Sequence, residues 1–220
     1  MITSNFPFPI LFRNSHFVII NKPAGIPVHP NRNHQKSIED FLPLLSRRKD
    51  GPWLAHRLDQ DTAGCLLIAL RKQALIEAQK CFSQGKVTKI YWAIVQGKPK
   101  QDRGIIENFL SKQYNDNKKW FIKTSPTTGQ KAITTWRVLG SNENISCLEL
   151  YLHTGRTHQA RVHCASLGCR IIGDNIYGAS DHHSLQLFNR YISLPLDPVI
   201  ETTATPPKHM VTFLKALSLI

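Results

Sequence analysis

The 220-residue chain is short of the features that mark secreted, zinc-bound and membrane proteins. Its five cysteines form no Cys-x-x-Cys pair, and their odd number argues against a disulfide framework. No apolar run approaches the length needed to cross a bilayer, and prolines interrupt the N-terminal segment where a secretion signal would lie. We therefore expect a soluble protein of a reducing compartment, the cytoplasm.

The motifs of several metal- and cofactor-dependent enzymes are also missing. There is no phosphate-binding P-loop, no serine nucleophile elbow and no zinc-deaminase signature. Three histidines are spaced by five residues, at His153, His158 and His163. This spacing does not place two of them on one helix face, as an i, i+4 spacing would. The sequence predicts neither a metal nor a cofactor.

Positive charge, by contrast, is abundant. Lysine and arginine number 28 against 15 acidic residues, which gives a formal net charge of +13. Such an excess favours a polyanionic partner such as RNA, although a basic protein with no such partner stays possible. Two local concentrations are Arg47-Arg48-Lys49 and the group Lys112, Lys118, Lys119 and Lys123.

Periodicity predicts a mixture of strands and helices without internal repeats or long linkers, hence one domain over residues 1–220. Strands are expected at 17–20, 65–70, 86–95, 132–139, 145–152, 185–194 and 199–203. Helices are expected at 72–84, 157–167 and 210–219, with another starting at the N-cap Ser37 and strained by Pro43. Residues 98–131 are predicted to form hairpins.

The loop-like stretch HRLDQDTAG, residues 56–64, places one carboxylate, Asp59, beside an arginine and a histidine. In an extended segment Arg57 and Asp59 share a face, and Leu58 points to the other side. A surface ion pair is one interpretation and a functional carboxylate is the other.

Two distant residues could complete a site around Asp59. Arg161 lies near the core-facing side of the 157–167 helix and requires an anionic partner there. If that partner is Asp59, the guanidinium keeps the carboxylate ionised, which suits a nucleophile or a base. Tyr91 could stack on a base, or it could be an ordinary core tyrosine.

Three stretches resemble the motifs of RluA-type pseudouridine synthases, which isomerise uridine to pseudouridine in ribosomal or transfer RNA. They are HRLDQDTAG at 56–64, KIYWAIVQG at 89–97 and TGRTHQARVHCASLGCRIIGDNIYG at 154–178. NKPAGIPVHP at 21–30 is similar to the opening strand and loop of that family. The resemblance covers about residues 10–200 and implies an RNA isomerase that uses no metal or cofactor.

The resemblance also implies roles and a fold. Asp59 matches the catalytic aspartate, Arg57 the arginine that displaces the target base, Tyr91 the tyrosine that packs on uracil, and Arg161 the arginine paired with the aspartate. Further substrate-binding residues would be His56, Thr62, Gly155, Arg156, His158 and Gln159. The implied fold is α+β, with a mixed, largely antiparallel sheet bisected by a catalytic cleft and flanked by helices.

Some positions depart from the family pattern. Ala63 and Ala160 are smaller than usual, and Phe188-Asn189 replaces a histidine-alanine pair, which affects the pocket edge or an RNA contact. We expect no separate N-terminal RNA-binding domain, a compact stem-loop target and a monomer that binds no membrane. A non-catalytic RNA-binding or chaperone protein on the same fold, or an enzyme acting on free nucleosides, are the alternatives.

Overall fold

The computed structural model describes residues 6–30, 35–46, 50–178 and 182–220. The basic triplet Arg47-Arg48-Lys49 therefore lies outside the described residues. The chain divides into two compact units, the first made of Met1–Lys89 and Asn189–Pro207, the second of Ile90–Phe188 and Lys208–Ile220. No helix among the described residues is both long and apolar enough to cross a membrane.

The strands, numbered in chain order, are β1 (Ile10–Arg13), β2 (Phe17–Lys22), β3 (Trp53–Leu54), β4 (Ala63–Ala69), β5 (Thr88–Gln96), β6 (Arg103–Tyr114), β7 (Trp120–Ser125), β8 (Gln130–Ser141), β9 (Ile145–Leu152), β10 (Leu187–Leu194) and β11 (Ile200–Thr203). The α-helices are α1 (Lys72–Ser83), α2 (Gln159–Ser166) and α3 (Lys208–Ala216), and a 3-10 helix covers Glu39–Leu45.

In the first unit, β2 lies between β1 and β4, and both neighbours run antiparallel to it. All seven residues of β4 are buried, which explains why this stretch is apolar without alternation. The short strand β3 also pairs with β4, and β11 pairs antiparallel with β10. The strand β4 is therefore the buried support on which the HRLDQDTAG loop is mounted.

In the second unit, antiparallel pairing joins the strands in the order β5, β9, β8, β6, β7. The helix α2 packs on one face of this sheet, where Val162 meets Leu110, Ile122 and Ala132. The side chain of Tyr177 packs against the same cluster. This cluster fixes α2, and with it the GRTHQ segment, against the long hairpin formed by β6 and β7.

These elements confirm the predicted α+β class with a mixed, largely antiparallel sheet. The predicted helix at Ser37 is wrong in type and start: the segment is a 3-10 helix with Ile38 at its N-cap. Pro43 lies inside it and cannot donate a backbone hydrogen bond, so a regular α-helix does not form. The Ser37 backbone N–H and Oγ instead both donate to the Asp40 carboxylate, at 2.7 and 2.8 Å.

The predicted hairpin at 132–152 exists but turns slightly later than expected. A bulge between Val138 and Gly140 lets β8 continue to Ser141. The turn is closed by the Asn142 side chain, whose Oδ1 accepts from the backbone N–H groups of Asn144 and Ile145, both at 3.0 Å. The sequence predicts the turn at Gly140-Ser141-Asn142, and of these residues Asn142 supplies the turn-forming side chain.

Candidate active site

The Asp59 loop is a tight turn directly before β4. The Thr62 backbone N–H donates to the Asp59 carbonyl at 3.1 Å, across the turn residues Gln60 and Asp61. The alternation predicted from the sequence is present, since Leu58 is buried, Asp59 is half-buried and Arg57 is exposed. The buried Leu58 therefore anchors the loop, and solvent reaches Arg57 and, in part, Asp59.

A buried lysine lies underneath this loop. Lys22, the last residue of β2, is fully buried, and its Nζ donates to the carbonyls of Pro23 at 2.7 Å and Gln60 at 2.8 Å. Burial lowers the pKa of Lys22 to about 7, although the charges of Asp61 and Asp59 act to raise it. The ammonium group thus ties the NKPAG segment to the Asp59 turn.

His56 holds the other side of the loop. Its Nε2 accepts a hydrogen bond from the Leu67 backbone N–H at 3.0 Å, and its ring packs 5.0 Å from that of Phe82. Burial and the nearby charge of Lys89 lower the pKa of His56 to about 3, against the opposing effect of a backbone hydrogen bond at Arg57. His56 is therefore neutral and ties the loop to β4, whereas its predicted contact with substrate stays a prediction.

The glycine that ends the loop cannot be replaced without moving backbone. Gly64 has φ +111°, and a Cβ built there would lie 2.2 Å from the carbonyl oxygen of Asn189. The Asn189 side chain donates to the Cys65 carbonyl at 2.7 Å. Phe188 and Asn189 are both fully buried, so this departure from the family pattern concerns packing and not an exposed RNA contact.

Tyr91 lies on β5 opposite Leu150, on the more buried side of the strand together with Ala93. Only 8% of its surface is exposed, whereas Ile90 and Trp92 on the other side are half-buried. This agrees with the predicted division of the strand into two faces. The stacking role of Tyr91 stays a prediction.

Arg161 forms a buried ion pair with a residue that the sequence does not single out. Its Nε donates to Oδ2 of Asp174 at 2.9 Å and its NH2 group donates to Oδ1 at 2.7 Å, a two-pronged geometry. Burial acts to raise the pKa of Asp174, but the hydrogen bonds and charge of Arg161 and the N–H groups of Tyr177 and Ile176 outweigh it and lower that pKa. The predicted anionic partner of Arg161 thus exists as Asp174, while a pairing with Asp59 stays a prediction.

The turn that leads into α2 is organised by Gln159. Its Oε1 accepts from the Thr154 hydroxyl at 2.7 Å and the Arg156 N–H at 3.1 Å. Its Nε2 donates to the Ile133 carbonyl at 3.0 Å and the Thr134 hydroxyl at 2.9 Å. A buried amide with four internal hydrogen bonds is a structural group, so a direct contact with substrate stays only a prediction.

Gly155 and Arg156 are exposed on the surface of this turn. The Arg156 Nε donates to the Lys131 carbonyl at 3.0 Å, which directs the arginine along the end of β8. These two residues, with Arg57, are the predicted substrate-binding groups that the structure leaves most accessible. Thr62, in contrast, is buried, with 2% of its surface exposed.

His158 connects the turn to the hairpin of β6 and β7. Its backbone has φ +54°, a left-handed conformation that costs a non-glycine residue about 1–2 kcal/mol. Its ring stacks on the indole of Trp120 at 5.0 Å, and its Nδ1 lies 2.8 Å from the Tyr177 hydroxyl. The strained backbone is held by these two contacts.

The tip of the same hairpin carries exposed aromatic rings beside a cation. Trp120 is 42% exposed and Tyr114 is 63% exposed. The Lys112 ammonium lies 5.2 Å from the Trp120 ring and 5.3 Å from the Tyr114 ring. Such a combination suits unpaired bases and phosphates.

Within the described part of the chain, no group of three histidine, cysteine or acidic residues could hold a metal. The buried His163 instead lies 2.8 Å from the Thr134 hydroxyl and 3.1 Å from Oδ1 of Asn108, and burial lowers its pKa to about 4. All five cysteines are free and buried.

The first unit thus carries the Asp59 loop, and the second carries Tyr91 and Arg161. A family model described as RNA pseudouridylate synthase matches residues 16–166. The chain belongs to the RNA pseudouridylate synthase family, as its motifs indicate.

Individual relatives agree with this assignment. An uncharacterised RNA pseudouridine synthase of Zymomonas mobilis is 41% identical over 151 residues, 68% of each chain. The ribosomal large subunit pseudouridine synthase D of Borreliella burgdorferi is 35% identical over 187 residues, 81% of this chain and 57% of its own length. The structure of human RNA pseudouridylate synthase domain containing 4 matches with a TM-score of 0.81 at 28% identity, over 96% of this chain and 93% of that one.

Proposed function

We propose that this protein isomerises specific uridines in RNA to pseudouridine, with Asp59 as the essential catalytic group. The observation that carries the proposal is the Asp59 turn, in which the half-buried carboxylate follows exposed Arg57 and the Nζ of buried Lys22 donates to the carbonyls of Pro23 and Gln60. These contacts restrain the turn that bears the carboxylate before any RNA arrives. Preorganisation of this kind is what an acting nucleophile or base requires.

The reaction rearranges bonds within one nucleotide. The bond between ribose C1′ and uracil N1 breaks, the uracil rotates, and a bond between C1′ and C5 forms while C5 loses a proton and N1 gains one. Electrons balance without an oxidant or a reductant, and we expect no cofactor or metal to take part. We assign Asp59 to attack on the nucleoside or removal of a sugar proton, and Tyr91 to packing on the uracil and removal of the C5 proton.

We assign Arg57 to displacing the target base from its stack, a step in which binding energy offsets unstacking. Its exposed position at the rim of the Asp59 turn supports this role. We assign Arg161 to stabilising the charge of the reacting carboxylate. Because the motifs of the family occur in both compact units, we propose that residues 1–220 act together as one catalytic domain.

The substrate we propose is a stem-loop of ribosomal or transfer RNA, which the monomeric protein binds in the cytoplasm. The name of the Borreliella relative supports ribosomal RNA. The net charge of +13 and the exposed aromatic rings near Lys112 support a single-stranded polyanion with accessible bases. The five free, buried cysteines fit a reducing compartment.

The central test is release of tritium from RNA labelled at uridine C5. We expect Asp59→Asn to abolish release, because the amide cannot act as a nucleophile or base, while the fold persists. Asp61→Asn is the matched control. Asp61 lies two residues after Asp59, its side chain is exposed, and the substitution removes the same charge. Equal release by the wild type and Asp59→Asn would contradict the catalytic role of Asp59, and no release by either protein would favour a non-catalytic RNA-binding protein.

A second comparison separates RNA from free nucleosides as substrate. We expect turnover of total RNA from cells lacking the gene, none of free uridine, and binding that weakens steeply with salt as counterions are released. Turnover of free uridine that salt does not affect would contradict the RNA assignment. Mapping pseudouridines in cells with and without the gene then identifies the modified position.

A further inference from the structure

Tyr177 contacts both Arg161 and its partner Asp174 in the second unit. The guanidinium carbon of Arg161 lies 5.3 Å from the centre of the Tyr177 ring. The same guanidinium donates to both oxygens of Asp174. Arg161 is therefore held by both an aromatic ring and a carboxylate, and only 7% of its surface is exposed.

Asp174 and Tyr177 lie on one tight turn. Oδ1 of Asp174 accepts from the backbone N–H groups of Ile176 and Tyr177, both at 3.0 Å. The Gly178 N–H donates to the Asp174 carbonyl at 2.8 Å, and a Cβ at Gly178 would lie 2.6 Å from that oxygen. The Asp174 carboxylate and the Tyr177 ring thus belong to one hydrogen-bonded turn.

The hydroxyl of Tyr177 links this turn to the long hairpin of β6 and β7. It accepts a hydrogen bond from the Ile122 backbone N–H in β7 at 2.9 Å. The same hydroxyl lies 2.8 Å from Nδ1 of His158, within hydrogen-bonding distance, and His158 stacks on Trp120 at the start of β7. A continuous series of contacts therefore runs from the exposed indole of Trp120 to the buried guanidinium of Arg161.

We propose that Tyr177 is a positioning residue for Arg161, and that its hydroxyl couples the placement of the β6–β7 hairpin to the orientation of that guanidinium. The ring would restrain Arg161, and the hydroxyl would transmit contact of RNA with the hairpin. This inference rests on the proposed function for its kinetic consequence, but the restraint itself exists in the free protein.

Two substitutions separate the ring from the hydroxyl. Tyr177→Phe keeps the ring over Arg161 and removes both hydrogen bonds, so we expect kcat within about twofold of wild type and KM for RNA several-fold higher. Tyr177→Leu removes the ring as well, and misplacement of a catalytic group by about 1 Å can cost about 100-fold. We expect at least a tenfold lower kcat for Tyr177→Leu. Tyr191→Phe, which removes an exposed hydroxyl bonded to Glu201, is the control and should match wild type.

A measurement without RNA keeps the inference testable if the kinetic assay gives no activity. The Arg161 Nε–H signal in nitrogen-15 NMR, assigned by its loss in Arg161→Lys, should exchange slowly in wild type and Tyr177→Phe and at least tenfold faster in Tyr177→Leu. Equal protection in all three proteins, or equal kcat for the phenylalanine and leucine variants, would overturn the positioning role. Absence of tritium release by the wild type would contradict the proposed function alone, because the exchange experiment does not depend on it.

Discussion

At the scale of single residues, Lys22 is the least expected feature of the Asp59 loop. A fully buried ammonium is costly unless it is hydrogen-bonded, and here two carbonyls and nearby carboxylates compensate part of that cost. Its pKa of about 7 is well below that of a lysine in an unfolded chain, about 10.4. Between these two values the unfolded chain binds a proton that the folded protein has lost.

This difference predicts how stability changes with pH. Because the unfolded state binds more protons between about pH 7 and 10, the contribution of Lys22 to the free energy of unfolding should rise with pH across that window, by up to about 1.4 kcal/mol per pH unit. Urea unfolding of wild type and Lys22→Met at pH 7, 8 and 9 measures this contribution. We expect the free energy of unfolding of wild type to increase relative to that of Lys22→Met as the pH rises. Lys72→Met, at an exposed position in α1, is the control. A difference between wild type and Lys22→Met that is constant with pH would contradict the shifted pKa.

The sequence alone predicts the residues whose arrangement depends only on their neighbours in the chain. Arg57, Leu58 and Asp59 alternate outward and inward as a short extended stretch should. Lys22 and Asp174 could not be found, because their partners lie 38 and 13 residues away and hydrogen bonds at that separation depend on the fold. The signal for Lys22 was a lysine that ends an apolar strand, which by itself also fits an exposed side chain.

At the scale of elements, the junction between the Asp59 loop and β4 depends on the absence of a side chain at Gly64. Alanine there would place its Cβ 2.2 Å from the Asn189 carbonyl oxygen, at a φ of +111°. Gly97 is a matched case with φ +71° and no atom within 4 Å of its built Cβ. We expect Gly64→Ala to lower the free energy of unfolding by about 3 kcal/mol or more, and Gly97→Ala by about 1 kcal/mol. Urea denaturation of both variants tests this. Equal decreases in the free energy of unfolding would show that the backbone around Asn189 shifts at little cost to accommodate the new Cβ.

Helices and strands are predicted best where the spacing of apolar residues repeats over many residues. The α1 helix was expected at 72–84 and occupies Lys72–Ser83, since apolar residues recur at helical spacing up to a glycine. The 3-10 helix at Glu39–Leu45 was mistaken for an α-helix because periodicity does not distinguish the two in so short a segment. The turn after β8 is predicted at residues 140–142 and lies at residues 142–144, because a bulge shifts register without a clear sequence signal.

At the scale of the whole molecule, buried neutral histidines should make the protein sensitive to mild acid. Burial lowers the pKa of His56 to about 3 and that of His163 to about 4, whereas an unfolded histidine titrates near about 6.5. Between pH 6.5 and 4 these histidines therefore become protonated in the unfolded chain but stay neutral in the folded protein. The free energy of unfolding should fall as pH drops through this window, by up to about 1.4 kcal/mol per pH unit for each histidine.

Denaturant unfolding at pH 7, 6 and 5 measures this slope. We expect His163→Gln to make the slope shallower whatever its effect on stability at pH 7, because glutamine does not titrate. His182→Gln, at an exposed position, should keep the wild-type slope. If His163→Gln leaves the slope unchanged, protonation of His163 does not cause the loss of stability in acid.

The five buried, free cysteines have a practical consequence for following this protein in solution. Burial raises the pKa of Cys65 and Cys147 to about 12, so that almost no reactive thiolate forms there at neutral pH. One cysteine introduced at exposed Asn117, in the connection between β6 and β7, would therefore react with a maleimide dye far faster than the native thiols. The hairpin could then carry a fluorophore in the otherwise unaltered chain, and its approach to labelled RNA could be timed directly in a stopped-flow instrument.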